Sequence, residues 1–306
     1  MSLLNKAVIK ERYRQLMPVM DKMKTAGIPF VVHKGAVLSK MAYDDSFRRS
    51  SGDIDLLLPR DYFDRVKQIL LEHGFSQKRL SDKGLSPVSR SEQIFHLSGT
   101  HQAAPFYKET GTSFCPYVCV DINLDIFWGE SDIHVDIEEY ISDRCDMELY
   151  KGTHVPVLPP EKAFLAACLH HYKDMHSIFL LYSRNGYPAS HLYDILGFTV
   201  NTPLSVEKLI TLADKYNARP YVYACLDAAR RILPDIPTEA DAIATSIYSP
   251  GFENIFFSFG LTSEERRQWP HDPKELLLDG KMREALETML TEKEHEKIRL
   301  NTWFMG

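Results

Sequence analysis

Cysteine is scarce in this sequence. The chain holds five, Cys115, Cys119, Cys145, Cys168 and Cys225, an odd number with no CxxC spacing. That argues against a disulfide framework and against a zinc knuckle, and it suits a reducing cytosol. No apolar run approaches the ~20 residues that span a bilayer. The opening "MSLLNKAVIKERYRQLM" meets charged residues too early to read as a signal peptide. These absences predict a soluble, cytoplasmic protein with no membrane partner. Positive charge is not in excess either: the formal net charge is -6. A broad phosphate-binding surface for duplex nucleic acid is therefore not expected, although a local basic site could still hold a small anion. There is no P-loop, no GxSxG elbow, no HExxH and no Rossmann GxGxxG.

What is present is an ordinary globular composition, 44% hydrophobic and 25% charged, in a chain of 306 residues. That length holds one large domain or two ordinary ones. Helical spacing runs from 3 to 26, with Pro18 implying a kink or a restart and Gly27 a stop. "IPFVVH" (28–33) reads as a strand, "AVLSKMAY" as a short helix after Lys34-Gly35, and "DIDLLL" (53–58) as another strand. "RDYFDRVKQILLEHGF" is an amphipathic helix capped at Gly74. Further strands are predicted at 75–80, 92–97 and 117–127. From Pro159 the pattern becomes helical, with helices at about 190–198, 204–217, 220–233 and 273–298. The expected fold class is α+β: an α+β domain over 1–158 with a mixed sheet, then a helical domain over 159–306.

Two acids stand one residue apart at the front of the apolar "DIDLLL" strand. Residues i and i+2 of a strand share a face, so Asp53 and Asp55 point together while Ile54, Leu56 and Leu58 line the other side. Adjacent carboxylates repel unless something positive lies between them. A hard cation such as Mg²⁺, which favours carboxylate oxygens and substrate phosphates, meets that need. The bland alternative is a solvated face on an edge strand. Upstream, "VVHKGAVLSK" gives strand, Lys34-Gly35, then helix. Gly35 allows close backbone approach, and the helix N-terminus can hold phosphate oxygens. Downstream, "YVCVDINLDIFW" sets Asp121, Asn123 and Asp125 on one face of a second strand, a source for a third carboxylate.

Strand, Gly turn, helix, DxD strand and a later acid together resemble the DNA polymerase β nucleotidyltransferase superfamily. Within it, "HKGAVLSKMAYDDSFRRSSGDIDLLLP" is similar to the uncharacterised nucleotidyltransferase family found in bacterial genomes and peptide-tailoring clusters. "LPPEKAFLAACLHHYKDM" and "HLYDILGF" resemble that family's helical half, so the likeness spans about residues 20 to 200. It implies Asp53 and Asp55 as the metal pair and Asp121 as the third carboxylate, with Asp125 an alternative on the same strand. It places Gly35 under a triphosphate with Lys34 beside it, and Arg49 neutralising phosphate charge. The sequence departs from the pattern in having Lys-Gly for the usual Gly-Ser or Gly-Gly, and Asp-Ile-Asn where relatives often read Asp-x-His. The implied activity is transfer of NMP, AMP first among them, from an NTP to a small-molecule or peptide acceptor bound between the domains. Two Mg²⁺ ions are the implied cofactors.

Other residues carry weaker signals. His170 and Asp174 lie one helical turn apart in "LHHYKDMH", a spacing common in plain helix-surface hydrogen bonds. His170 is kept as a second-domain contact to the substrate. His33 reads as a core-strand residue, and Asp194 as a structural cap or ion pair. Two other function classes compete. Metal-dependent glycosyltransferases also use DxD, usually after a longer nucleotide-binding section. A non-catalytic nucleotide- or partner-binding module would account for the unusual Lys34-Gly35 and Asn123.

Overall fold

A computed structural model describes residues 3–129, 131 and 133–305. Helix α1 (Leu3–Thr25) buries Ile9, Tyr13, Leu16, Met20 and Met23, a stripe at alternating spacings of four and three that forms one helix face. The helix runs unbroken through Pro18, which lies on its exposed side. There the carbonyl left unpaired by proline's missing N–H faces water. Gly27, at φ +67°, turns the chain, and the Ile28 N–H returns to the Met23 carbonyl at 3.0 Å, closing the helix end.

The chain then lays down strand β1 (Val31–His33), helix α2 (Gly35–Tyr43), strand β2 (Ile54–Leu57), helix α3 (Phe63–Glu72), strands β3 (Ser76–Ser81) and β4 (Gly84–Pro87), and helix α4 (Arg90–Phe95). Strands β5 (Phe106–Thr112) and β6 (Cys115–Asn123), the short helix α5 (Ile137–Tyr140) and the hairpin β7 (Cys145–Tyr150)–β8 (Thr153–Val157) follow. Six strands form one sheet in the order β1-β2-β6-β5-β3-β4. β2 runs parallel to β6, and the remaining neighbours are antiparallel. The sheet is therefore mixed, and β2 is an interior strand with all four residues buried. This is an α+β fold.

The described residues up to 129, together with 133–163, form one compact unit. Residue 131 and residues 164–305 form the second. The second unit is helical: the remainder of α6 (Pro160–His176), then α7 (Ile178–Arg184), α8 (Ser190–Asn201), α9 (Val206–Lys215), α10 (Arg219–Ile232) and α11 (Thr238–Ile247). Its core holds the Phe164 and Phe198 rings edge-to-face at 5.3 Å, and the Cys225 thiol donates to the Cys168 carbonyl at 3.1 Å. A two-strand ladder, β9 (Ser258–Phe259) with β10 (Arg267–Gln268), precedes helices α12 (Pro273–Leu278), α13 (Met282–Glu287) and α14 (Glu292–Met305). Among the described residues no helix is long and apolar enough to cross a membrane.

Two predicted elements differ. The strand expected at 92–97 is helical: Ser89 caps α4 by accepting the Glu92 N–H while the Glu92 side chain accepts the Ser89 N–H. This capping box overrides the apolar Ile94-Phe95 pair. The single helix expected over 273–298 is three. Gly280, at φ +67°, ends α12, with the Lys281 N–H bonded to the Leu276 carbonyl at 2.8 Å.

Candidate functional site

Sheet register brings the acids together. In the β1–β2 pairing His33 lies opposite Asp55; in the β2–β6 pairing Asp55 lies opposite Asp121. Neighbouring strands stand about 4.8 Å apart, and register partners share a face. Asp53, immediately before β2, joins that face by alternation. Asp125 does not lie on it, because β6 ends at Asn123. Its Oδ1 accepts the Phe127 N–H at 3.0 Å, and its Oδ2 faces His101 and His134.

Lys34 supplies the positive charge. Its Nζ sits 2.8 Å from Asp55 Oδ1 and 3.5 Å from Asn123 Oδ1. Asn123 completes a relay: its Nδ2 donates to Asp55 Oδ1 at 3.1 Å, and its Oδ1 accepts from the Gln102 side chain. The Ser51 hydroxyl faces both the backbone carbonyl and the carboxylate of Asp53 at 2.9 Å, and the Arg12 guanidinium donates to the Ser51 carbonyl. The Cys119 thiol lies 3.6 Å from Asp121 Oδ1.

These contacts split the acids electrostatically. Burial pushes Asp55 up, but the Lys34 ammonium, His33 and the Asn123 hydrogen bond outweigh it and hold the carboxyl below its usual range. Asp53 is raised by burial and by the Asp55 charge, against the Ser51 hydrogen bond and the Lys34 and Arg12 charges. Asp121 is pushed up to about 7 by burial and by the charges of Asp53 and Asp55. Burial works against the Lys34 charge, yet Asp55, Asp53 and Asp121 raise its pKa. His33 is driven down to about 3 by burial and Lys34, and its buried Nε2 has no hydrogen-bond partner. Three carboxylates against one buried ammonium leave negative charge in excess. An all-oxygen donor set with one acid held near neutrality fits a hard divalent cation.

The backbone at the strand end is unusual. Lys34 adopts φ +59°, ψ −157°, a region otherwise almost confined to glycine. Gly35 follows at φ +45°, a conformation that favours glycine, and a Cβ there would press Ser51 Oγ at 3.3 Å. α2 therefore starts beside the acids with no side-chain cap and no acid in its first turn, leaving N–H groups of that turn for an anion.

Among the sequence-predicted residues, the fold gathers Lys34, Gly35, Asp53, Asp55 and Asp121. Arg49 is held through its backbone, its N–H on Ser39 Oγ at 2.9 Å. His170 belongs to the second unit, 3.8 Å from Asp174. The expected helix-surface pairing is a buried cluster instead, because Asp174 is 2% exposed and also meets Arg184 at 3.0 Å and His191 at 3.4 Å. Arg12, Ser51 and Gln102 were not singled out from the sequence. Ser51 carried a signal, since a serine two residues before an acid readily bonds the backbone ahead of it. Arg12 and Gln102 carried none, being brought in by tertiary packing alone.

No curated protein matches the chain. Among the solved structures similar to the chain is an antigenic nucleotidyltransferase-like protein from Paracoccidioides brasiliensis, at 15% sequence identity and a TM-score of 0.36, the match covering 72% of this chain and 93% of that one. A family model described as uncharacterised nucleotidyltransferase matches residues 10–234. That span runs from α1 through α10 and includes every acid of the cluster, and the chain belongs to this uncharacterised nucleotidyltransferase family.

Proposed function

We propose that the protein is a Mg²⁺-dependent nucleotidyltransferase that moves NMP, AMP first among the candidates, from an NTP to a small-molecule or peptide acceptor. The observation that carries this reading is the Asp55–Asp121 register across a parallel strand pair, with Asp53 two residues back and an uncapped helix start at the same strand end. Asp53, Asp55 and Asp121 would hold the ions, which when bound neutralise phosphate charge and polarise the α-phosphorus. The first-turn amides of α2 bind triphosphate oxygens, with Gly35 permitting the approach. An acceptor oxygen attacks the α-phosphorus, the bond to the bridging oxygen breaks, and pyrophosphate leaves with that electron pair. The acceptor's proton passes to a carboxylate, and Asp121, opposite Asp55 across the strand pair, is the candidate for that base role. Lys34 and Asn123 fix Asp55 in orientation through hydrogen bonds to its Oδ1. Family membership favours this over a DxD glycosyltransferase.

The test is pyrophosphate release from labelled ATP with Mg²⁺ across an acceptor panel. Asp53→Asn should lower it by at least about 10²-fold while the fold stays intact by circular dichroism; undiminished release in that variant defeats the assignment. One observation favours a second reading, a nucleotide- or partner-binding module without catalysis: the Lys34 ammonium already neutralises Asp55 at 2.8 Å. Calorimetry separates the two, since the module would bind nucleotide equally well with and without Mg²⁺.

A further inference from the structure

A second cluster lies just past the end of β6. His101 Nδ1 is 3.8 Å from Asp125 Oδ2, and His134 Nδ1 is 3.5 Å from the same oxygen. One ligand atom from each of the three residues falls within 4.8 Å of the others. The imidazole rings stand 5.3 Å apart, tilted by 43°. These N···O separations are too long for hydrogen bonds, and too short to admit a bridging water. They suit a divalent ion: with bonds of about 2.0–2.2 Å, ligand atoms of a tetrahedral zinc site stand about 3.3 Å apart. Shifts of a few tenths of an ångström would bring the two Asp125 edges to that length, and the imidazole pair closes from within 4.8 Å.

The surroundings orient the ligands. Asp125 Oδ1 is held by the Phe127 N–H at 3.0 Å, which leaves Oδ2 turned toward the two rings. His101 is set by its backbone: φ is +55°, its carbonyl accepts the Leu124 N–H, and the Ala103 N–H bonds the Ile122 carbonyl, both at 2.9 Å. The Asp125 and His101 side chains are 8% and 12% exposed, and that of His134 is 64% exposed. Two ligands are thus recessed and preset, and the third reaches in from the solvent side.

We infer that His101, Asp125 and His134 form a transition-metal site, separate from the Asp53–Asp55–Asp121 cluster and taking Zn²⁺ through two imidazoles and one carboxylate. Nitrogen donors select a borderline ion over Mg²⁺. The site does structural work for its neighbour. It ties the segment carrying His101 to the end of β6, and the next residue, Gln102, donates to Asn123, which in turn donates to Asp55.

The experiment uses the full chain stripped with chelator, re-equilibrated with Zn²⁺ alone, desalted and assayed for metal content by mass spectrometry. An Asp53→Asn, Asp121→Asn background silences the acidic cluster, so retained metal reports on the second site, and no nucleotide chemistry is needed. One Zn²⁺ per chain is expected in that background. Adding His134→Ala, a position whose side chain is 64% exposed, should weaken Zn²⁺ binding by at least about 10–100-fold. Co²⁺ should give visible ligand-field bands that His134→Ala abolishes. Asp125→Asn should match it, and if that variant fails to fold, the His134→Ala result decides. Absence of stoichiometric Zn²⁺ in the acid-silenced background, or its full retention in His134→Ala, overturns the inference.

Discussion

Lys34 sits in a glycine-like backbone conformation that costs on the order of 1–3 kcal/mol for any other residue. Its side chain is what makes the position worth occupying, because without it the Asp55 carboxylate would be buried with no countercharge. Lys34→Met should therefore destabilise the metal-free protein by about 3–5 kcal/mol in urea denaturation. Lys34→Gly removes the same charge but relieves the backbone, so it should lose less; an equal loss in the two variants would show that no strain is stored there. Asp121 makes a prediction in pH. Its carboxyl is raised to about 7 in the folded chain, so between the ordinary aspartate value of about 4 and that point the native state holds a proton that the unfolded state lacks. The stabilisation is complete below about pH 4 and is lost as pH climbs through about 7. Asp55, held low, acts oppositely and loses its contribution only in acid. The metal-free melting temperature should thus fall between about pH 5 and about pH 8, and Asp121→Asn should flatten that slope.

At the scale of elements, the alternation of Asp53 and Asp55 with Ile54, Leu56 and Leu58 was legible from the chain, and so was the Lys34-Gly35 turn into a helix. Burial of β2 on both faces was not. Its interior place follows from β6 inserting beside it, a pairing between residues far apart in sequence that no local pattern encodes. The face assigned to Asp125 failed for a related reason: alternation predicts facing only while the strand lasts, and β6 stops at Asn123. The strand misread at 92–97 was recoverable, since Ser89 and Glu92 stand at capping-box spacing. Ser89→Ala should cost about 1 kcal/mol, read as a lowered urea midpoint, whereas a strand in this segment would leave the midpoint unchanged.

For the molecule as a whole, a formal charge of -6 together with an acid-rich cluster works against binding a bare triphosphate. Nucleotide and divalent ion should stabilise the protein jointly: at a hundred times its Kd, Mg·ATP raises the unfolding free energy by about 2.7 kcal/mol, and ATP with chelator should leave the melting temperature almost unmoved. The parallel pairing of β2 with β6 has a consequence in time as well as in space. Between the two strands the ribosome must deliver α3, β3, β4, α4 and β5, and sheet order then requires β6 to slot between β2 and β5. Such non-local closure is slow because its chain-entropy cost precedes its reward. The nascent chain thus carries Asp53 and Asp55 through the synthesis of 66 further residues (121 − 55) before Asp121 can join them, and the acidic cluster cannot assemble until β6 pairs with β2.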